Sequence, residues 1–206
     1  MSSRATWAPV VDCRSLTAEP RLFIALPLDD TARSRIAAIV EGVRASEPPG
    51  RGVRWVRLDG VHLTLRFLGP TPEARIADLT DAMRTAADGT GRIALRIAGA
   101  GAFPARGRPR ALWLGITEGT DRLGALAGRL QDALERAGWD REERPYRPHL
   151  TLARADGVRS GPEAVAALRA AVGDTEIEAS VDQVVLFESI TGSGPARYEA
   201  RAATPL

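Results

Sequence analysis

The chain contains only two histidines, and both lie in the same tetrapeptide, His-Leu-Thr-Leu. The first copy begins at His62 and the second at His149. Both copies have leucine-rich or β-branched flanks, which favour a β-strand. Because residues two apart in a strand share a face, each histidine should point the same way as its threonine, Thr64 or Thr151. Each strand therefore offers an imidazole and a hydroxyl side by side, backed by leucines that face a core.

Two imidazoles and two hydroxyls suit paired general acid–base chemistry on a phosphodiester. An unperturbed imidazole has a pKa of about 6.5, so near neutral pH one ring can be neutral while the other carries a proton. One ring can take a proton from an attacking oxygen and the other can give one to the departing alkoxide, each transfer being worth ~10²–10⁴ in rate. The hydroxyls and a nearby arginine can donate hydrogen bonds to the phosphoryl oxygens as charge develops.

Two arginines close to the motifs are further candidates for this site, and a neighbouring aromatic residue is not. Arg66 has the same strand parity as the first histidine, so its side chain can reach the same face, with an exposed surface position as the alternative. Phe67 has the opposite parity and is expected to lie in the core. Arg154 stands at the end of the second strand, where parity no longer predicts the direction of its side chain.

Other reaction classes have less support. A metal site needs three or four ligands with supporting carboxylates, and no Asp or Glu stands at matching positions of the two motifs, so neither a metal nor another cofactor is predicted. A serine-type triad would use one histidine, and no Gly-x-Ser-x-Gly is present. The chain has no lysine. That absence excludes a Walker-type phosphate loop, a Schiff-base lysine and a nucleotidyl-lysine ligase mechanism.

The composition is that of an ordinary globular chain: 206 residues, 44% hydrophobic and 26% charged. This length fits one large domain or two small lobes. Neither a transmembrane helix nor a secretory signal is predicted, because no apolar run approaches ~18 residues and the chain lacks a basic start followed by a long apolar stretch. The single cysteine, Cys13, fits a reducing cytoplasm. The net charge of +2 is weak evidence for a nucleic-acid partner.

Hydrophobic periodicity predicts alternating strands and helices. Residues 1–20 lack periodicity and are expected to form a loose arm. A buried strand follows, and Asp29 or Asp30 should cap the first helix. The order helix, histidine strand, helix begins there and returns from Thr120. One long strand is expected from 175 to 187.

The spacing of these elements indicates an internal duplication. The two helix starts, Asp29 and Thr120, lie 91 residues apart, and the histidines lie 87 apart. The prolines that open the next helices, Pro72 and Pro162, lie 90 apart. A repeat of this size fills most of the chain and predicts a duplicated α+β unit. Two related lobes facing each other would bring the two His-x-Thr faces together across a cleft.

The motifs and their flanks resemble the two-histidine (2H) phosphoesterases, most closely the bacterial RNA 2′,3′-cyclic phosphodiesterases, historically called 2′-5′ RNA ligases. The similarity rests on residues 62–69 and 146–154, with support from 21–26 and 108–115. It implies an α+β, LigT-like fold with two pseudo-symmetric lobes, each an antiparallel sheet with helices on its outer face, around a central groove. Residues 21–206 would form this single bilobal domain.

The resemblance also implies a hydrolase that converts a terminal 2′,3′-cyclic phosphate on RNA to a 2′-phosphate without a metal. By motif, His62 would protonate the leaving 3′ oxygen and His149 would activate water, although a near-symmetric site could run either way. Thr64 and Thr151 would hold the phosphate and Arg154 would assist. The expected substrate is RNA or an oligonucleotide with a cyclic phosphate end. The protein is expected to be a cytoplasmic monomer with no membrane contact and no obligate protein partner.

Two alternatives stay open from the residues alone. One is an RNA-binding module that keeps the groove but has no turnover, although binding alone would not require two titrating imidazoles. The other is the same chemistry on small cyclic nucleotides or on an ADP-ribose cyclic phosphate.

Overall fold

The computed structural model describes residues 19–46, 53–156, 159–192 and 194–206. The expected loose arm, apart from residues 19 and 20, lies outside these ranges. Two short 3₁₀ turns, Leu58–Gly60 and Glu73–Arg75, accompany nine strands and four helices in the described part. In chain order these are β1 (Arg21–Pro27), α1 (Asp30–Ser46), β2 (Arg54–Trp55), β3 (His62–Pro70), α2 (Ile76–Ala87), β4 (Ile93–Phe103), β5 (Ala111–Glu118), α3 (Thr120–Arg136), β6 (His149–Arg154), α4 (Gly161–Val172), β7 (Glu176–Val181), β8 (Gln183–Ile190) and β9 (Arg197–Pro205).

The strands of the described residues form one curled antiparallel sheet. Their order is β7-β4-β5-β6-β3-β1-β8-β9, with β2 paired to β6. The two histidine strands, β6 and β3, meet at the centre. We call the half made of β3, β1, β8 and β9 lobe A, and the half made of β6, β5, β4 and β7 lobe B. The prediction of two related antiparallel lobes is confirmed.

Two of the four helices in the described ranges, α1 and α3, pack beyond the lobe whose strand precedes them. Helix α1 follows β1 of lobe A but packs on α4 and on β7 of lobe B. Helix α3 follows β5 of lobe B but packs on α2, which covers β8 and β9 of lobe A. Each sequence repeat therefore supplies elements to both lobes. None of the helices in the described ranges is long and apolar enough to cross a membrane.

Asp29 shows how one residue fixes the start of a helix and its packing. One carboxylate oxygen accepts a hydrogen bond from the backbone N–H of Ala32 at 2.8 Å, which is the capping contact expected at a helix start. The other accepts the backbone N–H of Ser180 at 2.7 Å, which ties α1 to β7. Burial raises the pKa of Asp29, but these hydrogen bonds outweigh it, so the pKa lies below the ordinary value.

The long strand predicted from 175 to 187 is wrong as a single element. It consists of β7 and β8, which Asp182 separates. Strand β7 pairs with β4 at one edge of the sheet, whereas β8 pairs with β1 in the other lobe. Alternation of apolar residues is present in both strands. Because periodicity reports only local conformation, it does not show that the chain crosses between lobes at this residue.

Candidate active site

The two histidine strands meet through a single residue pair, Leu63 opposite Leu150. Both leucines are fully buried. Because side chains alternate along a strand, the residues on either side of this pair project from the opposite face. They are His62, Thr64, His149 and Thr151. Paired residues in antiparallel strands have Cα atoms ~4.5–5.5 Å apart, so the four predicted side chains surround one point of the sheet.

A groove of about 1110 Å³ crosses this face of the sheet. Four of the predicted site residues lie on its wall: His62, Thr64, Thr151 and Arg154. His149 does not line this wall, and its ring packs edge-on against Phe103 with the ring centroids 5.0 Å apart. Since Leu150 alone separates His149 from the groove residue Thr151, the second imidazole stands beside the groove.

Both imidazoles are held in the same orientation by the carbonyl two residues earlier. The Nδ1 atom of His62 lies 2.6 Å from the carbonyl oxygen of Gly60, and that of His149 lies 2.7 Å from the carbonyl oxygen of Arg147. A carbonyl can only accept, so Nδ1 is the donor and carries a proton in both rings. Each ring is left with Nε2 as the atom that can exchange a proton with a substrate.

Aromatic rings surround His62. Its ring centroid lies 4.9 Å from that of Phe23, 5.1 Å from that of Tyr198 and 6.0 Å from that of Phe187. Desolvation lowers the pKa of His62 below its ordinary value, and the hydrogen bond to Gly60 opposes this effect without cancelling it. The neutral imidazole is therefore the favoured form of His62 at neutral pH in the free protein.

A β-bulge in each histidine strand turns the later side chains over. The extra residue is Leu65 in β3 and Leu152 in β6. A bulge places two residues opposite one and shifts the alternation by one position. The fifth residue after each histidine therefore faces the groove: Phe67 in β3 and Arg154 in β6.

The bulge in β3 overturns both parity predictions for that strand. Arg66 is not on the groove wall. Its guanidinium instead donates to the carbonyl oxygen of Asp140 and lies 3.6 Å from the carboxylate of Glu142. Phe67, which was expected in the core, is 63% exposed and lines the groove. The equal spacing of Phe67 and Arg154 from their histidines is the sequence signal that could have found this position.

Positive charge is concentrated in the groove. Its charged wall residues within the described ranges are Arg21, Arg44, Arg54, Arg154 and Asp156. Four cations and one anion give these residues a net charge of +3, compared with +2 for the whole chain. Asp156 is paired with Arg54. Burial raises the pKa of Tyr198, and the nearby charge of Arg154 opposes that rise. Such a wall favours an anionic ligand.

Two imidazoles and two hydroxyls on the concave face of a two-lobed sheet define the site of a two-histidine phosphoesterase. The sequence model of the 2′-5′ RNA ligase superfamily matches residues 28–192. The chain belongs to this family.

Two relatives and a solved structure agree with this family. The RNA 2′,3′-cyclic phosphodiesterase of Aeropyrum pernix is 33% identical over 175 residues, which are 82% of this chain and 96% of that protein. That of Geobacillus stearothermophilus is 34% identical over 186 residues, 89% of this chain, and the match spans only 56% of the relative. The structure of E. coli LigT complexed with 3′-AMP covers 91% of this chain and 98% of its own, with a TM-score of 0.68 at 26% identity.

Proposed function

We propose that this protein hydrolyses the 2′,3′-cyclic phosphate at the end of an RNA to a 2′-phosphate, by paired histidine catalysis that needs no metal ion. The pairing of Leu63 with Leu150 carries this proposal, because it sets both His-x-Thr motifs around one point of a positively charged groove. The names of the curated relatives support the choice of substrate.

The reaction uses both Nε2 atoms and leaves no proton unaccounted for. One imidazole removes a proton from water as the water oxygen attacks phosphorus. The other donates a proton to the 3′ oxygen as the bond between that oxygen and phosphorus breaks. The products are a 2′-phosphate and a free 3′ hydroxyl, and exchange with solvent restores the two rings.

We assign the acid role to His62 and the base role to His149, following the family resemblance. The aromatic surroundings of His62 favour its neutral form in the free protein. An anionic phosphate within ~4–6 Å favours the charged form of a histidine. His62 therefore takes up its proton together with the substrate, while His149 Nε2 accepts the proton of water.

This assignment is tested with a substrate whose 3′ oxygen is replaced by sulfur. A thiol has a much lower pKa than an alcohol, about 8.5 for a cysteine side chain, so a thiolate leaves with little need of an acid. His62→Ala should regain turnover on the sulfur substrate relative to the oxygen substrate. His149→Ala should stay inactive on both. The reverse pattern would exchange the two roles.

Three groove residues are assigned to the phosphate and a fourth to the base. The hydroxyls of Thr64 and Thr151 donate hydrogen bonds to the non-bridging phosphoryl oxygens, and Arg154 supplies positive charge. Phe67 offers an exposed aromatic face beside them on which the terminal base can stack. Arg66 is left out of the phosphate site because it does not line the groove and its guanidinium donates to the carbonyl oxygen of Asp140.

The function is tested with an oligonucleotide that ends in a 2′,3′-cyclic phosphate, incubated in EDTA. Wild-type protein should form the 2′-phosphate, and His62→Ala and His149→Ala should each lose ~10²–10⁴ in kcat. Arg136→Ala, an exposed change at the end of α3, is the control and should keep wild-type turnover. Full turnover in both histidine variants would end the proposal. RNA affinity without product in the wild-type protein would favour a binding module.

We also propose that the protein acts as a cytoplasmic monomer. Both histidine strands come from one chain, so a single copy holds the complete site. The single cysteine of the sequence suits a reducing compartment. Cell fractionation and the mass determined by light scattering test these two statements.

A further inference from the structure

Arg21, on the lobe A wall of the groove, has no role in the proposed proton transfers or in binding the reacting phosphate. Arg21 opens β1, pairs with Pro70 of β3 and lines the groove. Its side chain is exposed. Within the described ranges it has no hydrogen-bonding or ion-pairing partner. A free guanidinium in this position is available to an anionic ligand.

The alternation of β1 directs Arg21 into the groove beside the catalytic ring. Arg21 and Phe23 are two residues apart, so they share a face and their Cα atoms are separated by ~6.6 Å. The ring of Phe23 contacts His62 and lies 6.0 Å from the ring of Phe67. A second register shift lies opposite this point, where Leu68 is the extra residue of β3, and it leaves the alternation of β1 intact. Arg21 is thus separated from Phe67, the proposed base-stacking residue, by the ring of Phe23.

An RNA chain can extend from a nucleotide with a 2′,3′-cyclic phosphate in only one direction. Its 2′ and 3′ oxygens are both bonded to the reacting phosphorus, so the rest of an RNA strand leaves through the 5′ oxygen. Phe67, the proposed base-stacking residue, and Arg21 both line the groove from lobe A, so a base stacked on Phe67 has Arg21 on the same wall for the phosphate attached to that oxygen. Asp156, the acidic residue of the described groove wall, follows β6 of lobe B and is paired with Arg54.

Building on the proposed function, we propose that Arg21 binds the phosphate on the 5′ side of the terminal nucleotide. A guanidinium suits this role because it can donate two parallel hydrogen bonds to phosphate oxygens. Arg21 is then the residue that makes the site prefer RNA ends over nucleosides that carry only a cyclic phosphate.

Two small substrates separate this contact from the chemistry. They are adenosine 2′,3′-cyclic phosphate and the same compound with a 5′-phosphate. Wild-type protein should show a kcat/KM about five- to tenfold higher for the 5′-phosphorylated form, as expected for one exposed charge-assisted contact. Arg21→Ala should abolish this preference and keep the wild-type kcat/KM for the unphosphorylated form. Arg44→Ala, which removes another exposed groove arginine, is the matched control and should keep the preference.

A preference that persists in Arg21→Ala, or an equal loss on both substrates, would overturn the inference. Absence of turnover on both small substrates in the wild-type protein would leave the proposed function to the oligonucleotide assay. Binding then decides the role of Arg21, measured by calorimetry with adenosine 2′-phosphate and adenosine 2′,5′-bisphosphate. Tighter binding of the bisphosphate to wild type but not to Arg21→Ala supports the contact, and equal selectivity in both proteins refutes it.

Discussion

Identical tetrapeptides give the two imidazoles the same orientation but different surroundings. Each ring donates Nδ1–H to the carbonyl two residues before it. His62 lies among three aromatic rings, whereas the recorded ring contact of His149 within the described ranges is with Phe103. The shared orientation is local and follows from the shared motif. The surroundings of His62 come from β1, β8 and β9, which are distant in the sequence.

The asymmetry predicts a measurable titration of His62. Because the chain has only two histidines, His149→Gln leaves one imidazole whose NMR signals need no further assignment. The midpoint of His62 should lie below its ordinary 6.5, since desolvation lowers its pKa. Adding Phe187→Ala opens the aromatic shell and should raise the midpoint. A midpoint at or above the ordinary value would contradict the desolvation of this ring.

The same shift makes folding stability depend on pH with a definite sign. A histidine with a lowered pKa binds fewer protons in the folded state than in the unfolded state, so stability falls as pH drops through the unfolded value of about 6.5. The slope from one such group is at most about 1.4 kcal/mol per pH unit, and the loss is complete below the folded pKa. Urea unfolding of wild type and His62→Gln between about pH 7.5 and 5 measures this difference, which should be smaller in the variant.

At the scale of the strand, the predictions hold up to the first bulge and fail beyond it. Alternation correctly placed His62 with Thr64 and His149 with Thr151 on one face, because no extra residue interrupts these pairs. After Leu65 the parity of β3 is inverted, which exchanges the directions of the next two side chains. A bulge is defined by the partner strand, so one strand's hydrophobic pattern does not reveal it.

Strand β4 carries a glycine on which the position of the second imidazole depends. An ideal Cβ on Gly101 would lie 2.3 Å from the ring of its cross-strand partner, Trp113. The indole packs on Phe103 with ring centroids 5.3 Å apart, and Phe103 packs on His149. Glycine is therefore required where the indole lies directly on the backbone of β4.

Gly101→Ala should displace Trp113 and, through Phe103, the ring of His149. We expect a loss of ~1–3 kcal/mol in unfolding free energy, as for other overpacked sites. We also expect kcat to fall more than KM rises, since the displaced group takes part in proton transfer. Gly124→Ala is the matched control: its added methyl meets nothing within 4 Å, and removing a helical glycine should stabilise α3. Wild-type kcat in Gly101→Ala would show that this packing does not position His149.

At the scale of the whole molecule, the sequence repeat and the lobe are different units. The spacing of matching elements predicted a duplicated α+β unit, and the structure has the two related antiparallel lobes that this implied. The spacing did not predict that α1 packs on β7 of lobe B or that α3 packs on α2, because helix amphipathicity shows which face is buried but not what buries it. Strands β1 and β8 pair although they come from opposite ends of the described chain. The groove therefore lies between two lobes, each of which contains elements from both sequence repeats.

This exchange of elements predicts that the protein unfolds as one unit. Residues 21–118 contain β1 and β3 of lobe A but lack β8 and β9, which complete that half of the sheet, and α3, which covers it through α2. Exposed strand edges and an uncovered apolar face should leave this fragment unfolded or aggregated. Calorimetry of the whole chain should show one transition whose calorimetric and van't Hoff enthalpies agree. Two separate transitions, or a cooperatively folded 21–118 fragment, would show that each repeat is an independent domain and that the histidine strands meet only by docking.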